Sequence, residues 1–190
     1  MTIPALQTDR TRLTPRDWIA AGFRALVNGG APALRVEPLA RGLGTSKGSF
    51  YWHFADLAAL KVQMVALWQR LAEEEITTTV LASGAEGRAA LQALIGRISV
   101  APPAAYGGAG VEPALRGWAR TEPKVAQAVA AMDTRRLAVL ESFFTQARHD
   151  DPAHAARLFY AATLGLMELR LTTGADMRAG LEVQLDALLP

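Results

Sequence analysis

The residues with the most chemistry to offer lie in one short run, Gly44-Thr45-Ser46-Lys47-Gly48-Ser49-Phe50-Tyr51-Trp52-His53-Phe54. It holds three aliphatic hydroxyls and a phenol, an ammonium, an imidazole and large planar rings, and it contains no acid. Read as a helix from Thr45 to Phe54, it has Thr45 as N-cap and Gly48 at the third helical position. A Glu there would close a capping box and repel an anion. Without it, the free backbone amides, the helix dipole and Lys47 all favour a phosphate. Gly48 costs about 1 kcal/mol relative to Ala in a helix interior, a cost that close approach of the backbone to a partner would offset. Phe50 and Phe54, one turn apart, mark the inner face. Tyr51, Trp52 and His53 are consecutive and so sweep about 200° of arc; they cannot all follow the phenylalanines inward. Lys47, Tyr51 and His53 suit phosphate contacts. Ser49 and Trp52 suit base edges or thymine methyls, with Ser46 on the same outward face.

Such a helix needs a scaffold to hold it out. Upstream, Val36, Leu39, Ala40 and Leu43 repeat at helical spacing, and Gly44 breaks the run, so the pattern is helix, glycine turn, helix. Before that, Thr14-Pro15-Arg16-Asp17 reads as a helix start, with Thr as cap, Pro at the first position and an acid in the first turn. The helix carries Trp18, Ile19, Phe23, Leu26 and Val27 and stops at Asn28-Gly29-Gly30. Three helices thus form a small head over residues 14–56, preceded by a flexible basic arm over 1–13. Charge agrees with this division. Through Lys61 there are eight Lys and Arg (Arg10, Arg12, Arg16, Arg24, Arg35, Arg41, Lys47, Lys61) against four acids (Asp9, Asp17, Glu37, Asp56). The remainder is mildly acidic. A basic head on an acidic body fits a polyanion for the head alone, although ordinary surface scatter gives the same count.

At these residues the sequence resembles the TetR family. The block from Leu43 to Phe54 is similar to that family's recognition helix almost position by position, and Trp18 to Gly30 to its first helix and turn. The resemblance covers residues 13–60. It implies a helical homodimer, cytoplasmic, usually a repressor, bound to double-stranded operator DNA and released when a small molecule occupies the C-terminal part. On this reading Arg35, Thr45, Ser46, Lys47, Gly48, Ser49, Tyr51, Trp52 and His53 bind DNA. Two positions depart from the family. Leu57 stands where a phosphate-binding Lys or Arg is usual, with Lys61 one turn on. Arg35 stands where a Ser or Thr cap is usual.

The rest of the chain, 57–190, reads as an all-α effector-binding and dimerisation domain, giving about nine helices in total. Helices are expected over 57–81, 86–99, 111–120, 123–148, 152–173 and 176–189, with the Pro- and Gly-rich stretch 101–110 as a loop. The 152–173 helix is apolar nearly all round, so both sides must be covered. Phe159, Ala162, Gly165, Leu166 and Leu169, with Val183 and Leu188 from the last helix, are the expected dimer interface, Gly165 allowing close approach. Met64, Trp68, Trp118, Met132, Phe143, Phe144 and Tyr160 are candidates to line an effector cavity, though each equally suits plain core. Their apolar character points to an apolar effector.

Other chemistries find little support. The chain has no cysteine, which removes disulfides, thiolate metal sites and cysteine nucleophiles. His149-Asp150-Asp151-Pro152-Ala153-His154 matches no strong metal spacing, and Asp151-Pro152 reads as a helix start. Gly107-Gly108-Ala109-Gly110 lacks the Gly-Lys-Ser/Thr of a phosphate loop. Neither enzyme activity nor a cofactor or metal is expected, and no apolar run reaches the ~20 residues of a membrane span. The alternative function is a helical ligand-binding or protein-interaction module without specific DNA binding.

Overall fold

A computed structural model describes residues 13–76 and 84–190. Among them the regular structure is helical throughout: α1 (Pro15–Gly29), α2 (Val36–Gly42), α3 (Lys47–Tyr51), α4 (Leu57–Ile76), α5 (Gly87–Ile98), α6 (Val111–Ala119), α7 (Pro123–Gln146), α8 (Pro152–Thr173) and α9 (Met177–Leu188). The expected arm lies outside the described residues except for Leu13, as does the end of the helix expected to reach Leu81. Among the described residues no helix is long and apolar enough to cross a membrane.

The helix signals act as the sequence suggests. The Asp17 carboxylate accepts hydrogen bonds from the Thr14 N–H and hydroxyl, both at 2.7 Å, and Pro15 opens α1. These bonds hold the Asp17 carboxyl below its ordinary pKa. Asp56 accepts from the Ala59 N–H at 2.7 Å, Asp151 from His154 and Asp176 from Ala179, which fixes the starts of α4, α8 and α9. Gly174, left-handed at φ 72°, ends α8.

The main difference concerns the third helix of the head, α3. It begins at Lys47, not Thr45, because Ser46 is extended and supplies the cap, its Oγ accepting from the Ser49 N–H at 3.4 Å. The Thr45 N–H instead donates to the Ala40 carbonyl at 2.9 Å and closes the turn. After Tyr51 the chain continues as turns, with the N–H groups of His53 and Phe54 both donating to the Phe50 carbonyl.

Apolar packing divides the molecule otherwise than the sequence does. One core runs from Trp18, Phe23, Phe50 and Phe54 through Leu60, Met64 and Trp68 to Leu115, Trp118 and Met132. A second holds Leu91, Ile95, Phe143, Phe144, Phe159, Leu181 and Leu185. The head is therefore continuous with the near half of the body. A Cβ on Gly22 of α1 would come within 2.6 Å of the Met64 sulfur on α4, so any larger residue at this crossing would have to displace the Met64 side chain. The stretch 101–110, expected as a plain loop, forms two short 3₁₀ turns (Ala104–Tyr106 and Gly108–Gly110) and braces α1. Gly107 and Gly110 let the backbone lie against Val27, and Arg24 donates to the Ala105 carbonyl at 2.7 Å.

Candidate nucleic-acid interface and buried charge cluster

The outward surface of α3 is built from the inside. Phe50 is completely buried, edge-on to Trp18 at 5.2 Å between ring centroids and stacked on Phe54 at 5.3 Å. Burying Phe50 and Phe54 fixes the helix rotation, and the neighbouring side chains must then face out. Trp52 is 83% exposed and Tyr51 58% exposed, with the Tyr51 ring edge-on to Phe50. Lys47, Ser46 and Gly48 are exposed, while Ser49 and His53 are half-buried. A Cβ on Gly48 would meet nothing closer than Ser46 Oγ, at 3.5 Å. Nothing inside the protein demands glycine there.

The tight turn before α3 rests on Gly44, at φ 65°, whose N–H donates to the Arg41 carbonyl. Arg35 is exposed and extended at the start of α2, and its side chain makes no cap. Lys61, the cation nearest the missing phosphate contact at Leu57, is turned to the body. Its ammonium lies 5.7 Å from the centre of the Trp118 ring.

Residues 19–62 match the family described as bacterial regulatory proteins, tetR family. The head is thus similar to the N-terminal domain of that family. The fold as a whole is similar to that of a transcriptional regulator from Rhodococcus sp. Rha1, with 19% identity, a TM-score of 0.77, and 93% of this chain and 96% of that one covered. It is also similar to a putative TetR-family transcriptional regulator from Rhodococcus sp., with 22% identity, a TM-score of 0.75, and 93% and 99% covered. A third similar structure is a putative transcriptional regulator from Saccharomonospora viridis in complex with choline, with 19% identity, a TM-score of 0.70, and 90% and 93% covered. No curated protein matches by sequence.

Behind the TetR-type head the body holds a feature that sequence reasoning missed. Glu112 and Arg116 of α6, Asp133 and Arg136 of α7, Tyr160 of α8 and Trp68 of α4 form one partly buried network. Arg136 Nη1 donates to Glu112 Oε1 at 2.9 Å and to the Tyr160 hydroxyl at 3.2 Å. Arg116 donates to Glu112 Oε1 at 2.8 Å, Asp133 Oδ1 at 2.6 Å and the Tyr160 hydroxyl at 2.8 Å. Tyr160 donates to Asp133 Oδ1 at 2.7 Å, and the Trp68 indole N–H to Glu112 Oε2 at 3.0 Å. Burial would raise the Glu112 pKa, but Arg136 and Arg116 outweigh it and hold the carboxyl below its ordinary value. The same balance holds Asp133 down through Arg116 and Tyr160. Burial pushes Tyr160 up to about 12. Two arginines meet two carboxylates, so the cluster is neutral overall, as a buried ionic group must be to persist.

The candidate effector residues fall in different places. Trp68 and Tyr160 meet in this network. Met64, Trp118 and Met132 belong to the first core, Phe143 and Phe144 to the second. A cavity of about 60 Å³ adjoins the network, with Arg136, Tyr160 and Thr163 among apolar neighbours that include Ala72, Leu94, Val139 and Met167. Of the candidates only Tyr160 lines it.

The expected dimer residues also separate. Phe159 has no exposed surface and is edge-on to Phe144, so its side chain is used within the protomer. Leu166 packs inside the α8–α9 pair, where a Cβ on Gly180 would fall 2.9 Å from its Cδ1. Ala162 and Leu188 are half-buried, while Gly165, Leu169 and Val183 are exposed. Nothing approaches the Cβ position of Gly165 within 4 Å.

Proposed function

We propose that this chain is a dimeric, sequence-specific DNA-binding transcription regulator, acting as a repressor that a small molecule releases from its operator. The observation that carries the reading is Trp52, an indole left almost wholly in solvent beside Tyr51 and Lys47. It stands on a helix whose opposite face is sealed by Phe50. An indole left in solvent contributes nothing to the fold, but its apolar surface gains free energy when a partner covers it. Lys47, Tyr51, His53 and Arg35 take phosphates and set the register. Ser49 and Trp52 meet base edges, and Gly48 lets the backbone approach.

Leu158, Ala161, Gly165 and Leu169 share the open face of α8, next to Val183 of α9. That face receives the same face of a second copy, an isologous four-helix contact. Dimerisation places two heads for half-sites about 34–36 Å apart, or a multiple of that. The effector enters beside Arg136 and Tyr160, where the small cavity must widen to admit it. A molecule with an apolar body and one polar end suits that lining. By drawing on Arg136 or Tyr160 it loosens the Glu112–Trp68 bond and so α4, which bears on the head through Met64 and Gly22.

The test is binding of the full chain to duplex from its own upstream region over a salt series. Lys47→Ala should weaken binding to all sequences and flatten the slope of log K against log salt, by well under 1, because a phosphate contact that releases a counterion is lost. A wild-type chain that leaves no footprint and shows no salt-dependent binding would instead favour the ligand-binding or protein-interaction module.

A further inference from the structure

One carboxylate stands among the cations of the head's DNA-facing side. Glu37, in the first turn of α2, places its Oε2 2.9 Å from the Lys47 ammonium and its Oε1 3.6 Å from the Arg41 guanidinium, all in solvent. Lys47 and, less strongly, Arg41 and Arg35 hold the Glu37 carboxyl below its ordinary pKa, so it is charged at neutral pH. Lys47 has a DNA phosphate as its intended partner on the reading above, yet in the free protein it already has an anion. Chain topology brings this about. The tight Gly44 turn folds the start of α3 back beside the start of α2, and residues ten apart in sequence come into contact.

We propose that Glu37 is a positioning residue, an internal stand-in for phosphate that holds Lys47 in the free protein and yields it when α3 docks. This rests on the DNA-binding reading. Docking then exchanges one ion pair for another and leaves the carboxylate near a polyanion, so the net electrostatic gain from Lys47 is small. Non-specific duplex has only phosphate charge to offer and loses most by this. An operator adds base-edge contacts from Ser49 and Trp52 that do not pass through Lys47. Glu37 thus widens the gap between operator and random DNA by weakening the wrong complex. A purely structural role is available to the same residue, since an acid in the first turn complements the helix dipole. That role predicts a change in Tm and none in DNA binding.

The experiment compares wild type, Glu37→Gln, Lys47→Gln and the double variant, all as full chains. Fluorescence anisotropy is read on a random-sequence duplex and on a duplex selected by the wild type from a randomised pool, across a salt series, with Tm measured alongside. Glu37→Gln should tighten random-duplex binding about fivefold at low salt and steepen its salt slope by about 1. It should tighten the selected duplex less, about twofold. In the Lys47→Gln background the same change should be worth under about twofold. Equal tightening with and without Lys47 would reduce Glu37 to a general repulsion and overturn the proposal. So would a lower Tm with unchanged binding. Failure of the wild type to bind any duplex is a separate result, seen before any variant, and it removes the DNA reading itself.

Discussion

The head and the body both contain a charged and aromatic cluster, and they treat it in opposite ways. In the head, Lys47, Tyr51 and Trp52 are pushed outward by a sealed aromatic core of Trp18, Phe50 and Phe54. In the body, Glu112, Arg116, Asp133, Arg136 and Tyr160 are drawn inward and satisfy one another. The first cluster leaves its rings in solvent and its ammonium in a pair that solvent can exchange, and it is suited to a partner. The second closes its valences and is suited to joining α4, α6, α7 and α8. Exposure sets the energies as well. A solvated pair such as Lys47–Glu37 stabilises the fold little, whereas breaking one member out of a buried ionic cluster leaves uncompensated charge.

The largest effect should therefore come from the body. Glu112→Ala strands Arg136 and takes the acceptor from Trp68, and it should lower unfolding free energy by about 3–5 kcal/mol, read by urea denaturation. Random-duplex affinity per folded molecule should change far less. A loss below about 1 kcal/mol would mean that water satisfies the cluster and that it does not join the helices. The pH dependence follows from the direction of the shifts. Glu112 and Asp133 are held below their ordinary values of 4.5 and 3.8. Their stabilisation is present above those values and is lost as pH falls through the lower folded ones. Glu112→Gln should make the acid limb of the stability curve shallower than that of wild type.

Next in size is Trp52→Ala, which tests the head's exposed rings. Its indole touches none of the core, so Tm should stay within a degree or two, as for other surface changes. Binding to the selected duplex should weaken by about 1–3 kcal/mol while random-duplex binding changes little, which relaxes sequence preference. If both duplexes weaken equally, Trp52 contacts the backbone and the division of roles on α3 must be redrawn.

The contrast also explains what the sequence made legible. Helix starts at Thr14 and Asp151 were readable because a cap needs only residues three apart. The rotation of α3 was readable because Phe50 and Phe54, four residues apart, both had to turn inward, even though the helix itself stops at Tyr51. Glu112, Arg116, Asp133 and Arg136 come from two helices, and each by itself resembles an ordinary surface charge. The Glu112–Arg116 spacing of four was a signal, but such pairs are common on exposed faces. Only tertiary packing shows that this one faces inward. The same limit applied to Phe159 and Leu166. Periodicity marked α8 as apolar on every side but could not say which side the protomer itself would cover. The cap on α3 was misplaced by one residue because Thr45 and Ser46 are both competent, and the choice depends on the turn geometry set by Gly44.

Gly48 offers the smallest and most discriminating change. It lies inside a short helix, where Ala is favoured over Gly by about 1 kcal/mol or less, and an added methyl would meet only Ser46 Oγ at an ordinary contact distance. Gly48→Ala should therefore leave Tm unchanged or raise it by a few degrees. If the bare backbone is there so that DNA can approach α3, the same methyl should cost severalfold in affinity for random and selected duplexes alike, because the clash is with the sugar-phosphate surface and not with a base. Stability and binding then move in opposite directions through one carbon atom. Glu112→Ala, by contrast, acts first on folding and reaches the binding surface only indirectly, through α4. Should Gly48→Ala bind as wild type does, the glycine has no role in docking, and the approach of α3 to DNA is set by its side chains alone.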